Sequence, residues 1–234
     1  MNNWYEISDI ESLDTPALVV FPDRVKHNIQ TAINRVGHPS RLRPHIKTNK
    51  SPEAIQLMLD AGITQFKCAT IAEAELLGLC NAPDTLLAYQ PQGPKLQRFI
   101  DVIKKYPHTL YSCLTDNIKV AAEQATSFAA AGLTVPVYID LNIGMNRTGI
   151  VPGSAAIELY QFISTAKGMF AAGLHAYDGH LRSSDINERT KECNKEFKAV
   201  EEMTETLNKQ GFTVPTIIAG GSPAFPIHAK RKNV

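Results

Sequence analysis

The sequence lacks any long hydrophobic run, and no apolar stretch approaches the roughly 20 residues needed to cross a bilayer. The first residues, MNNWYEISDIESLD, are polar and acidic. They lack the basic segment followed by an apolar segment that marks a secretory leader. These absences predict a chain with no membrane partner that remains in the cytoplasm.

The sequence also lacks a charge imbalance, because 24 basic and 23 acidic residues give a net charge of +1. A balanced chain offers no electrostatic argument for nucleic-acid binding. Its four cysteines, Cys68, Cys80, Cys113 and Cys193, are scattered and form no CxxC pair. We therefore expect reduced thiols and no zinc site built from cysteine alone. No repeat or Pro/Gly-rich linker divides residues 1–234, which predicts a single domain.

Short apolar segments alternate with longer amphipathic ones along the chain. The predicted strands are 17–21, 42–47, 65–70, 85–90, 109–115, 135–142, 170–177 and 216–221. The predicted helices are 23–36, 51–61, 71–79, 94–106, 117–132, 153–167 and 185–210. This alternation predicts an α/β fold with a parallel sheet, and eight strands favour a (β/α)8 TIM-type barrel. An open, doubly wound sheet is the alternative.

Helix boundaries carry local signals. Ser51, Pro52 and Glu53 read as an N-cap, a first-turn proline and a first-turn acid. Gly62, Gly132 and Gly211 stand where helices should end. After the last predicted strand no long closing helix follows, so we expect the chain to stop short of its natural end.

The carboxyl ends of the predicted strands hold the candidate site, because a parallel barrel places its active site there. Lys47 lies at such an end, where loss of hydration would favour a nucleophilic amine. The alternative is an ordinary surface lysine, and Lys50 is a nearby competitor in the loop. His175 reads as a packed core residue, since it has no carboxylate at a metal-site spacing.

Two further groups could bind an anion or a polar ring. Gly220, Gly221 and Ser222 would let the backbone approach a phosphate, but the motif is weak by itself, and a tight turn that needs positive φ is the alternative. Arg147 could contact a carboxylate or phenolate through its planar guanidinium, or it could be a surface residue of a loop.

Taken in order, the motifs resemble the fold-type III pyridoxal-phosphate enzymes, in the branch of D-threonine aldolase and D-serine dehydratase (the alanine racemase N-terminal-like barrel). The matching stretches are DTPALVV from Asp14, RPHIKTNK from Arg43, CATIAEAE from Cys68, LAYQP from Leu87, DLNIGMNRTG from Asp140, YDGH from Tyr177 and GGSP from Gly220.

The resemblance implies roles for particular residues. Lys47 would be the catalytic Schiff-base lysine of pyridoxal 5′-phosphate, with His45 beside it in the cofactor pocket. Arg147 would lie near the phenolic oxygen and Tyr177 near the ring nitrogen. Gly220, Gly221 and Ser222 would bind the phosphate.

The resemblance also implies parts beyond this chain. Family members carry a β-rich second domain that supplies a His plus Cys or Asp pair for a divalent metal (Mn, Mg or Zn), whereas we expect no metal ligand in residues 1–234. Residues 1–22 would be a leading segment that pairs with that domain. The barrel would then have seven strands and lack its last one, and the full-length protein would be a homodimer.

The function implied is a lyase that cleaves D-β-hydroxy amino acids to glycine and an aldehyde. D-serine dehydration and racemisation are alternatives within the family. A single-domain pyridoxal-phosphate carrier is an alternative of another class, favoured by chain length alone.

Overall fold

A computed structural model describes residues 3–234 of the chain. Its centre is a single parallel sheet whose six strands are hydrogen-bonded in chain order and curl into a half-barrel. The strands are Gln65–Cys68 (β1), Asp84–Leu87 (β2), Leu110–Thr115 (β3), Val135–Leu141 (β4), Met169–Ala176 (β5) and Ile217–Ala219 (β6). Consecutive parallel strands need crossovers, and helices supply them here.

Eight α-helices within residues 3–234 accompany the sheet. They are Pro22–Val36 (α1), Pro52–Asp60 (α2), Ile71–Leu79 (α3), Pro94–Lys105 (α4), Ile118–Ala130 (α5), Ser154–Thr165 (α6), Ile186–Lys209 (α7) and Phe225–His228 (α8). The sequence predicted the first seven to within two residues at each end. It missed α8, which is a single turn. No helix within residues 3–234 has both the length and the apolar composition needed to cross a membrane.

The predicted capping signals are confirmed. The Ser51 hydroxyl accepts a hydrogen bond from the Ala54 amide at 3.2 Å, and Pro52 opens α2. Gly62, Gly132 and Gly211 follow helices with φ of 85°, 73° and 85°, which is the left-handed region that glycine adopts without strain.

Two predicted strands are wrong. Residues 17–21 form no strand, and Leu18 is 80% exposed, because no sheet neighbour covers this apolar segment. Segment 42–47 makes a single bridge, from His45 to Lys67 of β1. Pro44 lacks an N–H, although its carbonyl oxygen accepts from the Lys67 amide at 2.8 Å. The chain then turns into a 3-10 helix at Ile46–Thr48, so the barrel is an open six-stranded sheet plus one bridge over the described residues.

The main core lies between the sheet and the helices, where Phe66, Phe99 and Phe128 are fully buried. Each such ring contributes roughly 1.5–3 kcal/mol through burial. The inner side of the curled sheet holds a much smaller apolar cluster, formed by Leu86, Leu114, Tyr138, Ala172 and Ile218. The remaining inner positions are therefore open to polar side chains.

Glycine at position 173 brings β6 against β5. Its φ is 141°, and a Cβ there would overlap the Thr216 carbonyl oxygen. A register shift between Val137 and Tyr138 lies opposite, after which Asp140 pairs with His175 on the same face of the sheet. This close approach places residues 220–222, which follow β6, beside the end of β5.

The two open edges of the sheet are linked by Arg41, at the end of the 3-10 helix Pro39–Arg41. Its guanidinium donates to the carbonyl oxygens of Ala229, Arg231 and Val234. The segment that leads into His45 is thereby tied to the segment that follows β6.

Candidate active site

A cavity of about 810 Å³ lies between the segment around His45 and the segment around β6. Its volume is in the range of small-molecule sites, roughly 300–1,000 Å³. Six of the seven predicted site residues line it: His45, Lys47, Tyr177, Gly220, Gly221 and Ser222. The structure therefore brings together residues that are as far apart as 45 and 222 in the chain.

Lys47 lies in the 3-10 turn after the His45 bridge, and its side chain is exposed. The expectation that this lysine is desolvated at a strand end is therefore wrong, because the strand does not form. Its backbone N–H donates to the His45 Nδ1 at 3.2 Å. The His45 pKa is lowered to about 3, first by burial and then by the charges of Lys67, Lys47 and His175. His45 is therefore a neutral ring that orients the turn carrying Lys47.

Arg147 contacts the ring of Tyr177, which lines the cavity. Its guanidinium carbon lies 5.4 Å from the centre of the half-buried Tyr177 ring, within cation–π range. Arg147 itself is exposed and does not line the cavity. Its loop is held on both sides, because the Thr148 hydroxyl donates to Asp140 Oδ2 at 2.9 Å and the Gly149 amide donates to Asp116 Oδ2 at 2.8 Å.

The Gly220–Ser222 turn follows β6, and Gly220 has a φ of 92° that favours glycine. The Gly221 N–H donates to Asp178 Oδ1 at 2.8 Å, so this amide is engaged within the protein. Ser222 is exposed at the cavity and offers its hydroxyl to a ligand.

Behind this turn lies a buried cluster of Asp178, Cys193 and His228 that the sequence did not reveal. Within residues 3–234 it is the one group of three potential metal ligands with converging donor atoms. The His228 Nε2 lies 2.8 Å from Asp178 Oδ2 and 3.3 Å from Cys193 Sγ. Zinc–ligand bonds of about 2.0–2.3 Å separate tetrahedral ligands by roughly 3.3–3.8 Å. The Asp178–His228 distance is that of a hydrogen bond, whereas the distances of 3.3 and 3.8 Å from Cys193 Sγ to the other two donor atoms fall within this range. In this structure Asp178 anchors Gly221 through its other oxygen.

A second buried cluster, also missed, lies on the inner face of the sheet. The Lys67 Nζ is 3.1 Å from the His175 Nε2, and the His175 Nδ1 is 2.7 Å from Asp140 Oδ1. All three side chains are buried, which confirms His175 as a packed, hydrogen-bonded residue. The one sequence signal was a lysine inside the apolar strand Phe66–Lys67–Cys68.

Burial is the largest cause that lowers the pKa of Lys67, to about 8. The charges of Arg43 and Lys47 also contribute to this lower pKa, whereas the charges of Asp140 and Asp178 oppose it. Burial also lowers the pKa of His175, followed by the Lys67 charge, and Asp140 opposes both. The cavity therefore contains two lysines of different character, one exposed and one buried.

The cavity fits a phosphorylated aromatic aldehyde. Lys47 offers an exposed amine to a carbonyl carbon, Ser222 offers a hydroxyl to a phosphate, and Tyr177 offers a ring face to an aromatic group. These are the groups that proteins use for such a cofactor.

Comparison with known proteins shows the family of the chain. The sequence profile of the family "Alanine racemase, N-terminal domain" matches residues 20–233. The D-threonine aldolase of Arthrobacter sp. is 25% identical over 216 residues, covering 90% of this chain and 55% of that protein. The 3-hydroxy-D-aspartate aldolase of Paracoccus denitrificans is 22% identical and covers 93% and 57%.

The crystal structure of D-threonine aldolase from Filomicrobium marinum superposes with a TM-score of 0.87 at 26% identity, covering 94% of this chain and 59% of that one. The chain spans between half and two thirds of the length of each of these relatives.

Proposed function

Because the chain belongs to the alanine racemase N-terminal domain family, we propose that it binds pyridoxal 5′-phosphate and acts on D-β-hydroxy amino acids as a lyase of the D-threonine aldolase type. The products would be glycine and an aldehyde. The observation that carries this proposal is the single cavity lined by His45, Lys47, Tyr177 and Gly220–Ser222. The names of the relatives support the aldolase reaction.

Each side chain has a role in this proposal. Lys47 holds the cofactor through its amine, and the cofactor supplies an electron sink for electrons released at the substrate carbon. His45 orients the Lys47 turn through the hydrogen bond to its amide. Ser222, on a turn anchored by Asp178, binds the phosphate. Tyr177 would border the ring of the cofactor, and Arg147, whose guanidinium carbon is 5.4 Å from the centre of the Tyr177 ring, would keep a positive charge near it.

Dehydration is the second candidate reaction. The D-threo-3-hydroxyaspartate dehydratase of Delftia sp. is 25% identical over 217 residues. The D-serine dehydratase of Saccharomyces cerevisiae is 24% identical over 237 residues. A dehydratase would use the same cavity and release ammonia and a keto acid instead of glycine. Racemisation and a carrier role for the cofactor are further outcomes that the experiment below separates.

We also propose a metal, an oligomeric state and a compartment for the protein. The ligands of a divalent metal would come from a segment outside the described residues, and the active oligomer would be a homodimer. All four cysteines are free thiols, which supports a reducing compartment such as the cytoplasm.

The first test asks which lysine takes the cofactor. The full chain is mixed with pyridoxal 5′-phosphate, reduced with borohydride and mapped by peptide mass spectrometry. We expect the adduct on Lys47 and its loss in Lys47→Ala. Lys50→Ala is the matched control, because Lys50 is also exposed and lies three residues away; it should keep the adduct. An adduct on another lysine, or none, would contradict the assignment.

The second test identifies the reaction. The loaded protein is incubated with D-threonine and Mn²⁺, and the products are separated by chromatography. Glycine plus acetaldehyde supports the aldolase. A keto acid plus ammonia indicates the dehydratase, inverted amino acid the racemase, and a Lys47 adduct without turnover the carrier.

A further inference from the structure

The chain of side chains formed by Lys67, His175 and Asp140 spans the inside of the sheet. Lys67 on β1 contacts His175 on β5, and His175 contacts Asp140 on β4. Thr148, next to Arg147, donates to the other Asp140 oxygen at 2.9 Å. One hydrogen-bonded path therefore links β1 to the loop that carries Arg147.

This path is costly to bury, because ionised groups lose their hydration inside a protein. Apolar side chains already occupy the neighbouring inner positions, as at Leu86 and Ala172. Lys67 is only 8% exposed, yet it lines the cavity. Its Nζ lies 5.7 Å from the centre of the Tyr177 ring, which is itself part of the cavity wall. The lysine amine is thus buried from the solvent but adjacent to the ligand space.

We propose that Lys67 is an acid–base group of this cavity, and that His175 and Asp140 are positioning residues that hold its amine as a hydrogen-bond donor to His175. The proposal deepens the proposed function and rests on it for the identity of the ligand, a D-amino acid bound beside the cofactor that Lys47 would hold.

The hydrogen bonds define the protonation states. Asp140 accepts the proton on His175 Nδ1, which leaves His175 Nε2 as an acceptor for an N–H of Lys67. A neutral Lys67 amine still donates one N–H to His175, so its lone pair and its second N–H point away from His175. When a bond between hydrogen and the ligand breaks, the proton passes to this lone pair and the electron pair stays on the ligand. The reverse step returns the proton.

The charges around Lys67 support this role. Its pKa is lowered to about 8, chiefly by burial, so both the amine and the ammonium are populated near neutral pH. The titratable and charged groups that face it are Arg43, His45, Lys47, Asp140, His175 and Asp178. The carboxylates of Asp140 and Asp178 oppose the charges of Arg43 and Lys47, so Lys67 remains able to hold a proton.

The first experiment needs no cofactor. Nitrogen-15 NMR of the histidine rings in the full chain reports the state of His175. We expect a protonated Nδ1 and an unprotonated Nε2 throughout, with an inflection near pH 8 as Lys67 titrates. The inflection should vanish in Lys67→Met. A His175 signal that stays flat between about pH 6 and 10 would overturn the proposal.

The second experiment uses the loaded enzyme and D-threonine. Lys67→Met should keep the Lys47 adduct but lose turnover by about 10²–10⁴-fold, the usual contribution of a general acid or base. Lys67→Arg should not rescue turnover, because arginine stays protonated, whereas it would rescue a purely structural cation. Lys50→Met is the matched control and should leave turnover and its pH profile unchanged.

The outcomes separate the two proposals. If D-threonine is not turned over but His175 shows the inflection, the lyase assignment fails and the proton chain stands. If turnover occurs and Lys67→Met retains both the rate and the pH profile, the role of Lys67 fails and the lyase assignment stands. If Lys67→Met does not fold, the NMR titration of the unmodified chain still decides the proposal.

Discussion

The two sides of the cavity are built differently. On one side, β4 and β5 are joined by seven residue pairs, and every residue of β4 is buried. On the other side, β6 has three residues and His45 makes a single bridge. The regular side carries His175, whose pKa is lowered by burial, and its hydrogen-bond partner Asp140. The irregular side carries the exposed Lys47, which must meet a ligand. Regular strands therefore hold the buried hydrogen-bonded groups, and turns present the exposed groups that bind.

The largest effect on stability should come from the regular side. Asp140→Leu leaves Lys67 and His175 buried without their carboxylate, which should lower the free energy of unfolding by about 3–5 kcal/mol. Lys47→Ala removes only an exposed side chain and should change it by no more than about 0.5 kcal/mol. Urea denaturation of both variants measures the difference. Equal losses would remove the distinction between the two sides.

The pH dependence of the free energy of unfolding should test the lowered pKa of the buried Lys67. The pKa of Lys67 falls from 10.5 to about 8 on folding. Between these values the unfolded chain binds a proton that the folded chain does not, so Lys67 makes the folded state more stable as pH rises from about 8 to 10. The contribution is on the order of 3 kcal/mol at most. Lys67→Met should lack this rise when unfolding is measured across the same pH range, and an identical slope in both proteins would contradict the assignment.

A smaller effect is expected where the irregular side is anchored. Asp178→Asn weakens the bonds to His228 and to the Gly221 amide, and should cost about 1–3 kcal/mol in the free energy of unfolding. It should also weaken binding of pyridoxal 5′-phosphate, measured by absorbance titration.

Chelation of metal ions should leave the melting temperature of the unmodified chain unchanged, because Asp178 and His228 are hydrogen-bonded to each other. A fall in melting temperature on chelation would show instead that the cluster binds a metal.

The sequence predicted most of the fold because each β-α unit is locally encoded by its caps and apolar runs. It failed at 17–21 and 42–47, where apolar or extended residues meet no regular sheet neighbour. Motifs located His45, Lys47, Tyr177 and Gly220–Ser222 around one cavity. Lys67 was missed because its pairing with His175 joins residues 108 positions apart, which no local pattern encodes. The Asp178–His228 pair was missed for the same reason.

The bonds of Arg41 have a consequence for the order of folding. They join residues 188 to 193 positions apart, so almost the whole chain lies in the loop that they close. Closing so long a loop costs little more entropy than closing one of half the length, about 0.6 kcal/mol. Contacts at such separation nevertheless form slowly, after the local units are in place. The last residues should therefore gain protection from amide hydrogen exchange late in refolding, together with the segment around Arg41.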